Sequence, residues 1–223
     1  MVEDYSQHFE IEREIGRGTF GTVQTGKMKG SEVQCAVKFI SKSSLKNQDY
    51  FQLNKNALEI VEEISHPHIV RVYELLEDRA NFHIVMELMQ GGSLQDQITN
   101  SPSGHLSELQ SVSVIHQILL GLHFMHGMGI MHCDINAENV LCEELSDQPL
   151  DEIHVKLSDF GFAIKTEPGE KIEHFPGIPQ YLAPEIIENL PYDSKVDVWA
   201  LGVLVFKMLS GHCPFEVATR VRS

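Results

Sequence analysis

The stretch that decides the fold is His132-Cys133-Asp134-Ile135-Asn136-Ala137-Glu138-Asn139, which places one histidine, two acidic side chains and two amides within eight residues. Two shorter motifs follow it along the chain, Asp159-Phe160-Gly161 and Ala183-Pro184-Glu185. Two others precede it: the glycine-rich segment Gly16-Arg17-Gly18-Thr19-Phe20-Gly21-Thr22-Val23 and, shortly after, Ala36-Val37-Lys38. A single Asp or Asn in a loop is usually a turn former. The ordered combination indicates a chemical site instead of isolated turns.

Composition and charge limit what kind of protein this is. Of the 223 residues, 42% are hydrophobic and 22% are charged, which fits a folded chain with a core and excludes a disordered tail, a collagen or a coiled coil. Lys and Arg number 17 against 32 Asp and Glu, which leaves a net charge of -15. Nucleic acid and anionic membranes both require a cationic face, so we expect neither as a partner.

The cysteines, apolar runs and histidines give no competing signal. The four cysteines contain no Cys-x-x-Cys pair and no secretory segment is apparent, so we expect a reducing compartment, cytoplasmic or nuclear. The longest apolar run, Trp199 to Leu209, is interrupted by Lys207 and predicts no membrane span. His123 and His126 have helical spacing, but no metal-ligand set accompanies them, so we expect packing or surface roles.

The hydrophobic pattern predicts strands first and helices afterwards. Alternating or β-branched residues predict strands at Phe9–Gly16, Gly21–Met28, Val33–Ile40, Ile69–Leu75, Phe82–Leu88, Asn139–Cys142 and His154–Leu157. Apolar stripes predict helices over Asp49–Ile64, from Ser107 to about Gly127, and over Ser194–Leu209. The stripe of the second of these helices comprises Val112, Ile115, Ile118, Leu119, Leu122 and Met125. We therefore expect an α+β fold of two lobes, a small β-rich lobe over residues 1–87 and a helical large lobe over residues 88–223, within one domain.

The glycine-rich segment has three possible interpretations. A G-x-G-x-x-G pattern also occurs in dinucleotide-binding folds, where the glycines open a helix. Here the flanking residues are strand-like, so we expect a hairpin whose backbone N–H groups close over phosphate oxygens. A plain glycine hairpin with a solvated Lys38 is the structural alternative, and the distance to Ala36-Val37-Lys38 argues against it.

Together these motifs resemble those of eukaryotic protein kinases. The stretch from His132 to Asn139 resembles the catalytic loop, Asp159-Phe160-Gly161 the metal-binding motif, and Ala183-Pro184-Glu185 the end of the activation segment. Asp197-Val198-Trp199 with Gly202 is similar to the motif of the family's central large-lobe helix. The matches occur in chain order. The form of the catalytic loop resembles that of the serine/threonine kinases near the calmodulin-dependent group.

The resemblance implies specific roles in an ATP- and Mg²⁺-dependent reaction. Asp134 would accept the proton of the substrate hydroxyl, Asn139 and Asp159 would hold Mg²⁺, and Lys38 would hold the α- and β-phosphates. Met86 would lie at the back of the adenine site. The resemblance assigns the nucleotide contacts to Ile15, Gly16, Arg17, Gly18, Thr19, Phe20, Gly21, Thr22, Val23, Ala36, Lys38, Glu87, Met89 and Leu141.

Several residues depart from the family pattern. Ala57 stands where a glutamate normally pairs with Lys38, unless a shifted register supplies Glu59. Asn136 replaces a lysine that touches the transferring phosphoryl, a loss of about 10²–10³ in rate if nothing compensates it. Three further departures are Cys133 for an arginine that receives an activation-loop phosphate, Ile178 for a threonine that bonds the catalytic aspartate, and Ser93 for an acidic residue.

The family pattern also continues beyond Phe215 through further large-lobe helices, so the sequence predicts a large lobe that lacks its last helices. We expect exposed apolar surface there, which a partner would cover.

These features leave three functions open. The first is a serine/threonine kinase, with weakened activity, that transfers the γ-phosphoryl of ATP to hydroxyls of a protein substrate. The second is a pseudokinase that acts as a nucleotide-binding interaction module, favoured by Ala57, Asn136 and Ile178. A kinase of small molecules fits less well, because the segment ending in Gln180-Tyr181-Leu182 and the motif after it resembles a peptide platform.

Overall fold

A computed structural model describes residues 8–18, 21–43, 60, 64–143, 153–167, 172 and 179–215. The chain divides into two compact units. The first comprises residues up to Ser65 together with Val70–Met89, and the second comprises His66–Ile69 together with the chain from Gln90 onward. His66–Ile69 belongs with the second unit because Ile69 forms a bridge to Leu157, whose N–H donates to the carbonyl of His68.

The first unit is built on an antiparallel five-stranded sheet with the order β1-β2-β3-β5-β4. Its strands are β1 (Phe9–Gly18), β2 (Gly21–Met28), β3 (Gln34–Ser41), β4 (Val72–Glu77) and β5 (Asn81–Glu87). The predicted strands in this part are confirmed except at one end, since Ile69 pairs in the second unit and β4 begins only at Val72. The helix predicted over Asp49–Ile64 lies almost wholly outside the described residues.

The two faces of this sheet differ in chemistry. One face carries an apolar cluster of Phe9, Cys35, Val37, Leu76 and Val85. Because side chains alternate along a strand, Ala36 and Lys38 lie on the opposite face. The register pairs Lys38 with both Val23 and Ile84, which places these side chains on the same face as the lysine.

The described part of the second unit is helical, with two short pairs of strands. Its helices are α1 (Leu94–Asn100), α2 (Glu108–Gly127), α3 (Pro184–Ile187) and α4 (Lys195–Ser210), with a 3₁₀ turn at Pro179–Tyr181. Its strands are β6 (Ile130–Met131), β7 (Val140–Cys142), β8 (Val155–Leu157) and β9 (Ile164–Lys165), paired as β6 with β9 and β7 with β8. The α+β class is thereby confirmed.

The long helix α2 begins where the sequence predicts. Ser107 caps it by accepting from the N–H of Gln110, whose side chain accepts in return from the N–H of Ser107. The predicted apolar stripe is only half right, because Val112 and Leu119 are 58% and 45% exposed. The polar Gln117 is buried in their place.

Gln117 sets this rotation of the helix. Its amide nitrogen donates to the carbonyl of Ile153 at 2.7 Å, and its oxygen accepts from the N–H of Val155 at 2.9 Å. Loss of Gln117 would break these bonds to two buried backbone groups, one at the start of β8 and one just before it, at a cost of about 1–3 kcal/mol each. The pairing therefore offsets the exposure of two aliphatic side chains.

Large apolar side chains are exposed on α2 and α4 of the second unit, namely Leu109, Val112, Leu119, Leu120, Val198, Trp199, Phe206 and Leu209. Among the described residues, no helix combines the length and the apolar character that crossing a bilayer requires.

Candidate active site

The β7–β8 hairpin brings two of the predicted site residues together. Asn139 directly precedes β7, and Asp159 follows two residues after the end of β8. Since the strands are antiparallel with Val140 opposite Leu157, both residues lie at the same end of the hairpin. Ser158 ties them, because its N–H and its hydroxyl both donate to the carbonyl of Asn139, at 2.8 and 2.9 Å.

Asp134 joins this end of the hairpin through side-chain hydrogen bonds. The amide nitrogen of Asn139 donates to Oδ2 of Asp134 at 2.6 Å and to its carbonyl oxygen at 2.9 Å. Both bonds use the nitrogen of Asn139, so its side-chain oxygen is the atom that could bind a metal. The predicted base and the two predicted metal ligands therefore share one region of the second unit.

A buried histidine links the catalytic loop to the segment that carries Asp159. His132 accepts at Nδ1 from the N–H of Asp134 at 3.2 Å, so its Nε2 carries the proton and donates to the carbonyl of Ser158 at 3.0 Å. Its ring contacts that of Phe160 with centroids 5.2 Å apart. One imidazole therefore fixes the backbone on both sides of the site.

Asp197, at the start of α4, fixes the backbone of the catalytic loop through hydrogen bonds. Its side chain is only 1% exposed, and it accepts from the N–H of Cys133 at 2.8 Å and from the N–H of His132 at 2.9 Å. Nε2 of His126 on α2 donates to the same carboxylate at 2.8 Å. These bonds stabilise a strained backbone, since Cys133 has φ +64° in the left-handed region.

The environment of Asp134 suits a general base. Burial raises the pKa of its carboxyl and the charge of Asp159 adds to this effect, while His132 and the hydrogen bonds from Asn139 and Asn136 oppose it. A carboxylate with a raised pKa accepts a proton more readily near neutral pH. Asp159 itself has φ +57°, a second strained residue at the site.

Lys38 lies in the first unit, near the middle of β3. It is only 5% exposed, and Ala36 lies two residues earlier on the same face. A buried ammonium group on a rigid strand is suited to hold phosphate oxygens, because its direction is set by the sheet and not by a loop.

The glycine-rich segment is the hairpin that the sequence predicts. Gly18 pairs with Gly21, and Arg17 pairs with Thr22. A Cβ added at Gly21 would lie 1.6 Å from the carbonyl oxygen of Phe39, so strand packing requires this glycine. A Cβ at Gly16 would meet nothing within 4 Å, so packing does not explain that glycine.

The remaining predicted nucleotide contacts lie in either unit. Ile15 is exposed on β1, Val23 is half-buried on β2, and Glu87 and Met89 lie at or just beyond the end of β5. The N–H of Glu87 donates to the carbonyl of Arg71, so that group is already used. Leu141 lies on β7 of the second unit, where it bridges to Ser93. Five residues singled out in the sequence lie outside the described ranges: Thr19, Phe20, Ala57, Glu59 and Ile178.

Two contributors were missed by reasoning from the sequence. His126 shows only helical spacing with His123, and its bond to Asp197 joins residues 71 positions apart. Asn136 was interpreted as the loss of a cation, whereas its amide contacts Asp134. An Asn two residues after an Asp in a loop is a local signal for such a bond, because Asn side chains bond nearby backbone and side chains.

Within the described ranges, no group of three or more His, Cys, Asp and Glu side chains could hold a metal ion. The oxygen donors of Asn139 and Asp159 nevertheless fit Mg²⁺, which keeps several waters and takes only one or two protein ligands beside substrate phosphates.

Sequence comparisons with known proteins give the family of this chain. The protein kinase domain matches residues 9–222. A probable myosin light chain kinase of Dictyostelium discoideum is 35% identical over 218 residues, which are 98% of this chain and 53% of that protein. Calcium/calmodulin-dependent protein kinase type 1B of Rattus norvegicus is 34% identical over 215 residues, 96% of this chain and 60% of that protein.

The chain therefore belongs to the protein kinase family. The predicted resemblance to serine/threonine kinases of the calmodulin-dependent group is confirmed, since calcium-dependent protein kinase 11 of Arabidopsis thaliana is a further relative at 34% identity. The chain spans between about half and three-fifths of the length of the first two relatives, at 53% and 60%.

Proposed function

We propose that this chain carries a protein serine/threonine kinase activity that transfers the γ-phosphoryl of ATP to a protein hydroxyl. The observation that carries the proposal is the bonding of Asp134, Asn139 and Ser158 into one network, with Asp159 directly after it. Kinases of this class need an aimed hydroxyl and neutralised phosphate charge more than covalent chemistry.

In this reaction each residue has a role that its position supports. Asp134 orients the hydroxyl of the substrate and accepts its proton. Asn139 and Asp159 would hold Mg²⁺, which would supply positive charge to neutralise the phosphates of the nucleotide. Lys38 contacts the α- and β-phosphates, and Gly16 leaves room for backbone to approach them.

The test compares the wild-type chain with Asp134→Asn, which keeps the shape and removes the base. We expect Mg²⁺-dependent phosphorylation of a generic serine/threonine substrate by the wild-type chain, and a loss of about 10²–10⁴-fold in the variant. Binding of Mg²⁺-ATP should persist in both, which a fluorescent nucleotide analogue would measure. Equal background rates in both chains would refute the enzyme.

A pseudokinase is the second candidate, and the residue that favours it is Asn136 in place of the phosphoryl-contacting lysine. This protein would bind nucleotide and act through contact with a partner. Retained Mg²⁺-ATP binding without any transfer in the test above would select it. The cytoplasmic or nuclear location, and a partner that covers the exposed apolar side chains of α2 and α4, stay predictions.

A further inference from the structure

Asn136 occupies the centre of the catalytic loop and is only 2% exposed. Its amide nitrogen donates to Oδ1 of Asp134 at 3.0 Å and to the carbonyl of Asp134 at 3.1 Å. Its amide oxygen accepts from the N–H of Glu138 at 2.9 Å and from that of Asn139 at 3.2 Å. One side chain therefore makes four hydrogen bonds, two as donor and two as acceptor.

No cationic residue could make this set of bonds. A lysine has three donors and no acceptor, so it would leave the N–H groups of Glu138 and Asn139 without this partner. The four bonds of Asn136 are internal to the loop, and one of them ends on the carboxylate that the proposed reaction uses as its base.

The two oxygens of Asp134 are held by two different amides. Oδ1 accepts from Asn136, and Oδ2 accepts from Asn139 at 2.6 Å. The last torsion of an aspartate side chain is broad when nothing restrains it. A carboxylate held at both oxygens cannot rotate, yet each oxygen has a second lone pair that can receive a substrate hydroxyl.

We propose that Asn136 is a positioning residue that fixes the carboxylate of Asp134 for proton acceptance. The inference rests on the proposed kinase function and adds to it the reason why the residue at this position is an amide. It acts through orientation, for which a misplacement of about 1 Å costs about 10²-fold in rate.

The donor and the acceptor of the Asn136 side chain can be tested separately by substitution. Asn136→Asp keeps the shape and an oxygen that accepts from Glu138 and Asn139, but it removes the donor to Asp134 and sets a second carboxylate against it. Asn136→Lys provides a cation and removes the acceptor. Asn100→Asp is the matched control, because it makes the same chemical change at the exposed end of α1.

The measurement is kcat and KM for ATP and for a peptide substrate, at one pH, on chains whose melting shows that they fold. We expect Asn136→Asp to lower kcat about 10²-fold while KM for ATP stays within about threefold, and Asn100→Asp to change neither. Asn136→Lys should also lower kcat. A rise in kcat with lysine, or an unchanged kcat with aspartate, would overturn the proposal.

A second readout does not depend on turnover. Crystal structures should show the carboxylate of Asp134 rotated in Asn136→Asp relative to the wild type. In Asn100→Asp this carboxylate should keep the wild-type orientation. An unrotated carboxylate would overturn the inference even if the wild-type chain transfers phosphate. If the wild type shows no transfer, the kinase proposal fails, and the crystal structures still decide whether Asn136 positions Asp134.

Discussion

Replacing Asp197 by asparagine tests whether one buried carboxylate holds the catalytic loop in place. Oδ2 accepts two hydrogen bonds, from the N–H of His132 and from Nε2 of His126, and Oδ1 accepts one, from the N–H of Cys133. The single oxygen of an asparagine would remain on the side with two donors. Its NH₂ group would then face the N–H of Cys133, two donors with no acceptor between them.

The cost follows from burial and strain. A buried backbone N–H without a partner costs about 1–3 kcal/mol, and loss of the charge weakens the other two bonds. Cys133, with φ +64°, also loses the hydrogen bond that holds it in the left-handed region. Its backbone strain of about 1–3 kcal/mol would be released only if the loop moves. We therefore expect a loss of about 3 kcal/mol of unfolding free energy, or a fall of about 6–12 °C in Tm for a chain of this size.

The assay is thermal unfolding followed by circular dichroism, with Glu188→Gln as the control because it removes one charge at an exposed position of the same unit. A crystal structure of Asp197→Asn should show Cys133 outside the left-handed region. A Tm no lower than that of the control, with Cys133 unmoved, would refute the assignment of the loop geometry to this carboxylate.

Three further predictions concern the rest of the molecule. Gly21→Ala should lower Tm by several degrees, because its Cβ would lie 1.6 Å from the carbonyl oxygen of Phe39. Gly16→Ala should leave Tm unchanged and weaken nucleotide binding. The reverse pattern would contradict the roles assigned to both glycines. Burial raises the pKa of Asp78, but two backbone N–H groups and a histidine outweigh it and lower that pKa to about 2, from 3.8. The stabilisation from the ionised carboxylate is thus present above about pH 4 and lost as pH falls towards 2. Denaturant titrations of Asp78→Asn should show this loss of unfolding free energy already at pH 7. Below pH 4 the unfolding free energy of the variant should depend less on pH than that of the wild type. Phosphorylation of Thr166 by another kinase should not raise activity in a peptide assay, and a large gain would contradict that.

The sequence predicted most of the fold where the signal is local. Alternation along β1, β2 and β3 is set by one buried face of a sheet, and the Ser107 cap is set by residues three positions apart. The face of α2 was predicted only in part, because the burial of Gln117 depends on backbone groups more than thirty positions away. Such a pairing has no periodic signature.

The same distinction separates the site residues. Motif spacing predicts Asp134, Asn139 and Asp159 as site residues. The antiparallel register of β7 and β8 explains why residues 139 and 159, which are 20 positions apart, lie at the same end of these strands. No motif could show what Asn136 does, since a substitution reads as a loss until its bonds are known. The sequence shows that residue 136 is an asparagine, and only the structure shows which groups its side chain donates to and accepts from.

Cys133 shows how the catalytic loop is held without a cation at that position. Its side chain packs with an apolar cluster of Met131, Ala183, Tyr192 and Val196. Burial, followed by the charges of Asp197 and Asp134, raises the pKa of the Cys133 thiol well above its usual value, so it stays neutral.

Ile172 of the activation segment packs on this cluster and exchanges two backbone hydrogen bonds with Tyr192. A phosphate would gain little beside a neutral thiol and apolar side chains, because it needs a cation or several donors to offset its desolvation. Ile172 is therefore held by burial and backbone pairing, and the loop is held by Asp197. Both sets of contacts are present in the unmodified chain, which is why we expect activity to be independent of phosphorylation of Thr166.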